Sequence, residues 1–398
     1  MMKTNNHVAG AEGSLGLYIH IPFCLKKCHY CDFYSVAGTD SALRAKYVDS
    51  LCCEIAWYGG RLGLASEGGG RLVDTVFIGG GTPSILDAGQ TARIVSTIFD
   101  SFRVAEDSEI SMECNPATLT DEKLAAYRKA GINRLSMGVQ SMEPSVLSIM
   151  GRAHGPEDVI SNFRLAREAG FDNINLDVMF GVPGQDMDIW KNTVHKVLAL
   201  EPEHLSFYSL ELAEGTEFYR RLASGTLKET APEADREMYH WMLETLDGCG
   251  YEHYEISNAA KPGHRCRHNL KYWNLEDYLG LGAAAHSFIA NTRFSNAADV
   301  TKYVESWEKR NPAVDWHQEN EWRDSVTDYI FTALRKTEGI GKKDFAERFG
   351  REFWDVFADR RTEFDEYMAA GDAAEDIDAV RITRKGMDIA SEMIALFL

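Results

Sequence analysis

From Leu17 onward the apolar and polar positions switch repeatedly between two periods. Short runs rich in β-branched and aliphatic residues predict strands at 17–21, 72–78, 109–113, 133–139, 173–179 and 204–210. Between them, amphipathic stretches predict helices near 40–58, 87–100, 121–130, 156–169 and 186–200. Asp121 and Glu122 fall in a first turn, while Gly131 and Gly170 stand where helices stop. Six strands alternating with helices imply a parallel sheet with right-handed crossovers. Nearly every strand runs into a polar or glycine-rich segment: IPFC, GGGTPS, ECNP, GVQS and LDVMFGVPG. In a parallel barrel those C-terminal ends share one face, where chemistry collects. The expected fold is α/β, a partial (β/α)6 TIM-like barrel with an α-rich C-terminal domain.

Past about Thr230 the pattern changes. Residues 232–248 read as a helix with Met238, Trp241, Met242 and Thr245 on one side, a stripe suited to a core. Residues 251–287 read as loop-rich. Helices follow near 301–309, 321–336 and 342–349, then a strand-like 379–383 and a final helix. The expected division is 12–245 for the barrel and its cysteine loop, and 246–398 for a C-terminal region with a winged-helix-like part. Residues 63–70 (GLASEGGG) read as a flexible loop.

Charge narrows the function. Forty-two basic against 61 acidic side chains leave −19, and residues 311–398 alone carry about −8. Binding to a phosphate backbone needs clustered Lys and Arg, so a capping or interaction role suits the C-terminal part better than nucleic acid. No apolar run approaches the roughly 18–20 residues that span a bilayer. The first fifteen residues lack the apolar core of a secretory signal, so the expectation is a soluble, cytoplasmic protein.

Eight cysteines are too few for a disulfide scaffold in a chain of 398 residues. Cys52, Cys53, Cys114, Cys249 and Cys266 are scattered, whereas Cys24, Cys28 and Cys31 crowd one loop after the first strand. Thiolates packed that closely usually ligate metal. Four would close a structural zinc site or saturate an iron–sulfur cluster; three leave one position open. A zinc site completed by His20 or His29 is the alternative.

The C-x3-C-x2-C spacing, with Gly79-Gly80-Gly81-Thr82-Pro83 after the second strand, resembles the radical S-adenosylmethionine superfamily over about 17–212. That resemblance implies a [4Fe–4S] cluster whose unique iron binds S-adenosylmethionine, which reduction can cleave to a 5′-deoxyadenosyl radical. Within the superfamily, Tyr18-x-His20-Ile21-Pro22-Phe23-Cys24 resembles the signature of the coproporphyrinogen dehydrogenase (HemN) group. By this resemblance Tyr18, Gly80 and Glu113 contact the cluster-bound S-adenosylmethionine. Tyr30, Gly81, Thr82, Gln140, Arg152 and Asp177 line a second adenosyl region. Glu113 suits an amino group, Arg152 a carboxylate, and Asp177 ribose hydroxyls or an amine.

The chain departs from the oxidase branch at one telling place. That branch has a fourth cysteine two residues after the third; here it is Phe33, and only about sixteen residues precede the first strand. The run Cys31-Asp32-Phe33-Tyr34-Ser35 is similar instead to HemW-type haem chaperones. So is His268-Asn269-Leu270-Lys271-Tyr272-Trp273, which resembles their H-N-x-x-Y-W motif. By resemblance, His268, Asn269, Tyr272 and Trp273 take part in haem binding. Read alone, His268 is equally a hydrogen-bonded core residue. From 257 to 275 there is no acidic residue, but Lys261, Arg265, Arg267 and Lys271 form a basic island that suits haem propionates. Cys266 and His286 are further candidates for iron or porphyrin. The resemblance implies delivery of haem to an acceptor haem protein, plausibly a respiratory one. The rival expectation is an oxygen-independent coproporphyrinogen III dehydrogenase.

Overall fold

In the computed structural model the described residues are 13–64, 70–312 and 314–398; most of the expected 63–70 loop lies outside them. The first strand, β1 (Leu15–Ile21), shows the logic of the sheet: Leu15, Leu17, Ile19 and Ile21 are fully buried on one face, while Gly16, Tyr18 and His20 take the other. Side chains alternate across a strand. The apolar face packs under helices and the polar face turns into the barrel.

Two short strands, β2 (Phe23–Cys24) and β3 (Val36–Ala37), flank the cysteine loop. Helix α1 (Ser41–Leu62) follows, with Asp40 Oδ1 accepting from Leu43 N at 2.8 Å. The βα units then run β4 (Leu72–Gly80), α2 (Ala88–Ser101), β5 (Arg103–Cys114), α3 (Asp121–Ala130), β6 (Arg134–Gln140), α4 (Pro144–Met150), α5 (Pro156–Glu168), β7 (Ile174–Phe180), α6 (Met187–Leu198) and β8 (His204–Ser209). Asp87 and Gln90 form a capping box at α2, and Gly131 ends α3 at φ +104°. Strands β1, β4, β5, β6, β7 and β8 pair in that order and all in parallel. The partial barrel is as expected.

The second half of the chain extends the same sheet. After α7 (Glu217–Ala223) and α8 (Pro232–Gly248) come β9 (Glu252–Glu255), β10 (Asn258–Ala260), α9 (Arg267–Trp273), β11 (Tyr278–Leu281), β12 (His286–Ile289) and β13 (Thr292–Asn296). Then follow α10 (Val300–Glu308) and β14 (Val314–Glu319). The sheet order is β14-β13-β12-β11-β1-β4-β5-β6-β7-β8-β10-β9. Strand β11 adds to β1 in parallel, and β10 adds to β8 antiparallel. The loop-rich reading of 251–287 therefore needs correction: these residues hold three strands, the start of a fourth and a helix, and the sheet runs on past the expected 245/246 boundary. These strands are three or four residues long, and their order comes from pairing with an existing edge, which no local pattern records.

The last part has the order α11 (Trp322–Ala333), β15 (Ile340–Gly341), α12 (Lys342–Phe349), α13 (Phe353–Val356), α14 (Arg361–Ala370), β16 (Ala373–Glu375), β17 (Ala379–Ile382) and α15 (Ala390–Ala395). Its small antiparallel sheet has the order β15-β17-β16. Helix α14 carries Glu363, Asp365 and Glu366, the wrong sign for a phosphate backbone. Among the described residues no helix is long and apolar enough to cross a membrane.

Candidate functional site

The cysteine loop is pinned at both sides. Across its base β2 pairs with β3, and Val36 N donates to Pro22 O at 2.6 Å. Further along, His29 N donates to Met150 O (3.0 Å), Phe218 N donates to His29 O (2.8 Å), and His29 Nδ1 lies 2.8 Å from Ile149 O. The loop is thus seated between the end of α4 and the start of α7. Gly151 permits this seat, because a Cβ there would come within 2.9 Å of the His29 ring.

Cys24, Cys28 and Cys31 line one cavity of about 370 Å³ at the C-terminal ends of the parallel strands. Tyr30, Gly80, Gly81, Thr82, Glu113, Gln140, Arg152 and Asp177 line it with them. All the residues expected at an adenosyl ligand converge here except Tyr18, whose hydroxyl lies 3.0 Å from His20 Nδ1 and which faces a second cleft. Ser136, Met179 and Tyr208 also line the cavity. Period two identifies them after the fact: Met179 stands two residues beyond Asp177 on β7, and Tyr208 faces the same way on β8.

Three features show what this cavity accepts. First, the nearby histidines are turned to other partners than the thiols. Both nitrogens of His20 are engaged, by Tyr18 Oη and by Tyr34 O at 3.0 Å, and His29 faces Ile149 O. Among the described residues no three His, Cys, Asp or Glu groups converge as a single ion requires. Sulfurs spread around one cavity suit a larger, polynuclear body. Burial pushes the Cys31 thiol up to about 11, so metal binding must displace its proton.

Second, glycines keep the backbone open. Gly80 has φ +116°, and an added Cβ would lie 2.7 Å from the His20 ring. At Gly81 it would lie 2.8 Å from Phe23 O and 3.0 Å from Cys24 Sγ. Gln140 lacks a glycine's freedom yet sits at φ +65°, where the pairing of β6 with β7 slips between Gly138 and Gln140. Such a bulge re-aims a side chain, here into the cavity.

Third, the walls are chemically opposed, two buried acids on one and a guanidinium on the other. Burial and the neighbouring Asp177 push Glu113 up to about 8, although Gly80 N donates to its Oε2 at 3.0 Å. Asp177 is also raised by burial, against hydrogen bonds from Asn175 Nδ2 (2.8 Å) and Ser136 Oγ (3.1 Å). Two acids held this way favour a cationic ligand. Opposite them, Arg152 Nη2 donates to Gly138 O at 2.6 Å and Nη1 to Cys28 Sγ at 3.5 Å, while its buried Nε has no partner among the described residues. That guanidinium favours an anion beside the thiols. A zwitterionic ligand bearing a sulfonium, such as S-adenosylmethionine, matches both walls.

The H-N-x-x-Y-W segment forms α9, which enters the polar interior of the barrel. His268 is fully buried; its Nδ1 lies 2.9 Å from Thr75 Oγ1, its Nε2 2.8 Å from Tyr272 Oη, and its ring stacks on Phe77. The hydrogen-bonded core reading of His268 is the one the geometry matches. Glu109 accepts from Arg267 N (3.0 Å) and His268 N (3.2 Å) at the helix start. Cys266 is buried beside the same carboxylate, which corrects its candidacy as an iron contact. The basic island is not free either. Lys271 is buried between Asp74 and Glu276, Arg265 pairs with Glu252 and Glu338, Arg267 with Asp107, and Lys261 with Glu203. Glu252 and Glu276 lie just outside the 257–275 stretch, and Asp74, Asp107, Glu203 and Glu338 lie far away in sequence, which is why the island looked unbalanced. Tyr272 does reach a surface: with Tyr18, Phe33, Tyr34, Tyr278 and His286 it lines a second cleft of about 540 Å³. Asn269 and Trp273, also expected at haem, are half-buried on α9 and absent from that lining.

Residues 18–197 match the Radical SAM superfamily, and 323–389 match the HemN C-terminal domain. The protein named heme chaperone HemW of Bacillus subtilis is 37% identical over 383 residues, covering 96% of this chain and 98% of its own length. That of Escherichia coli is 32% identical, with 96% and 98% covered. The solved structure of coproporphyrinogen III oxidase (HemN) from Escherichia coli superposes with a TM-score of 0.85 at 24% identity, covering 98% of this chain and 92% of the other. That likeness establishes the fold.

Proposed function

Because the chain belongs to the heme chaperone HemW family within the radical SAM superfamily, we propose that it binds haem and passes it to an acceptor haem protein. A [4Fe–4S] cluster and S-adenosylmethionine are its resident cofactors. The observation that carries this reading is the loop itself: three thiols at one cavity, with the exposed ring of Phe33 (66% accessible) where the oxidase branch has a fourth.

Cys24, Cys28 and Cys31 would hold the cluster, one protein ligand short of four. Bound there, S-adenosylmethionine gives the site access to one-electron carbon chemistry. Gly80 and Gly81 admit the ligand to backbone distance. Glu113 and Asp177 face its cationic groups, Arg152 faces its carboxylate and the Cys28 sulfur, and Gln140, Thr82 and Tyr30 complete the enclosure. The acceptor is a respiratory haem protein, met on the cytoplasmic side.

The test is a transfer assay under anaerobic conditions. Haem-loaded, cluster-reconstituted protein is mixed with an apo haem protein, and transfer is followed by the acceptor's spectrum. Transfer that needs this chain is the expected result. Sustained conversion of coproporphyrinogen III with S-adenosylmethionine and a strong reductant would overturn the proposal in favour of the dehydrogenase.

A further inference from the structure

Two cavities open on either side of the same short segment. Asp32 and Phe33 line both the thiol cavity and the second cleft. Tyr18, Tyr34, Tyr272 and Tyr278 line that cleft too, with the rings of Tyr272 and Tyr278 meeting edge to face at 4.5 Å. At about 540 Å³ the cleft lies within the usual range for small-molecule sites, roughly 300–1,000 Å³. Flat aromatic walls suit a flat apolar ligand.

One wall also carries an imidazole of a different kind from those in the core. His286 is exposed at the start of β12, and among the described residues its ring makes no hydrogen bond to protein. By contrast, both nitrogens of His20 and of His268 are engaged. Partial burial and Arg293 hold the His286 pKa below its usual value, leaving a lone pair at neutral pH. Its position is rigidly set. The turn before it is held by Gly282 N donating to Glu54 Oε2 at 2.7 Å and Ala283 N donating to Tyr47 Oη at 3.0 Å.

Resting on the haem-chaperone reading, we propose that haem occupies this aromatic cleft, with His286 as an axial ligand to its iron and Phe33 packing against the macrocycle. His268 then acts as a positioning residue: it fixes the Tyr272 hydroxyl from within the barrel and does not touch iron. The cargo and the cluster would share the Asp32–Phe33 segment as their common wall.

The experiment is an anaerobic haem titration of the full chain, wild type beside His286→Ala, His286→Gly and His268→Ala, each checked by circular dichroism and thermal melting. Wild type is expected to bind one equivalent with a histidine-ligated visible spectrum. His286→Ala should melt like wild type, yet bind roughly tenfold or more weakly and with shifted Soret and visible bands. Added imidazole should restore the wild-type bands to His286→Gly. His268→Ala should lower the melting temperature while its bound haem keeps the wild-type band positions. Unchanged bands and affinity in His286→Ala would overturn the ligand assignment alone, as would lost histidine ligation in a folded His268→Ala. Failure of wild type to bind haem at all would overturn the chaperone reading as well.

Discussion

Glu113 shows how a single buried carboxyl reports on its missing partner. An ordinary glutamate sits near 4.5; burial and Asp177 push this one up to about 8. Between those values the unfolded chain has ionised while the folded chain still holds the proton. The stability this group contributes is therefore present at low pH and is lost as pH rises toward 8. Glu113→Gln keeps an acceptor for Gly80 N but cannot ionise. Relative to wild type it should gain stability from pH 5 to pH 8 and hold level above. Urea unfolding midpoints across that range check this, and a parallel pH response in both proteins would refute it. Sequence offered the residue as a strand-end acid suited to an amino group, but not its raised pKa, since the like charge of Asp177 arrives from β7 through the fold.

At the level of elements, α9 is the clearest case of a segment whose sequence misleads. Its motif invites a surface site for iron, but the helix is drawn inward by polar groups on the concave face of the sheet: Thr75 on β4, Glu109 on β5 and, beside it, Arg134 on β6. Glu109 serves two otherwise unpaired amides at the helix N-terminus. Removing it in Glu109→Ala strands those donors and a buried guanidinium, and should cost about 3 kcal/mol. A fall in the denaturation midpoint, with a changed near-ultraviolet dichroism from Tyr272 and Trp273, is the expected signature. An unaltered midpoint would mean that α9 is held by its apolar contacts instead. The parallel strands were readable because each carries its own alternation. Strands β9 to β11 were not, because they borrow an edge from β10, β8 and β1 respectively.

Across the whole molecule the two halves are joined through buried polar ties as well as through the sheet. Glu54 on α1 accepts from Gly282 N at 2.7 Å, from Asn296 Nδ2 at 2.7 Å and from the Tyr303 hydroxyl. It therefore links the first helix to the turn before β12, to β13 and to α10. Glu54→Gln replaces one acceptor oxygen by a donor that faces donors, and should destabilise the chain by about 2–4 kcal/mol. Tyr303→Phe removes a single bond and should cost only about 1 kcal/mol. Equal losses in urea unfolding would contradict this arrangement. The barrel rim was legible from strand ends within the first half, and the thiol cavity with it. The second cleft was not, because its walls come from residues 18, 33, 34, 272, 278 and 286, which only the closed sheet brings together.

That closure has a consequence for the order of events on the ribosome. Strand β1 lies between β4 and β11, so one of its sides stays without a neighbour until residues 278–281 have been made. Up to that point the nascent barrel has an open seam beside the strand that leads into the cysteines. An unpaired strand edge of that kind pairs readily with other chains, so completing residues 278–281 removes an aggregation-prone edge as well as closing the sheet.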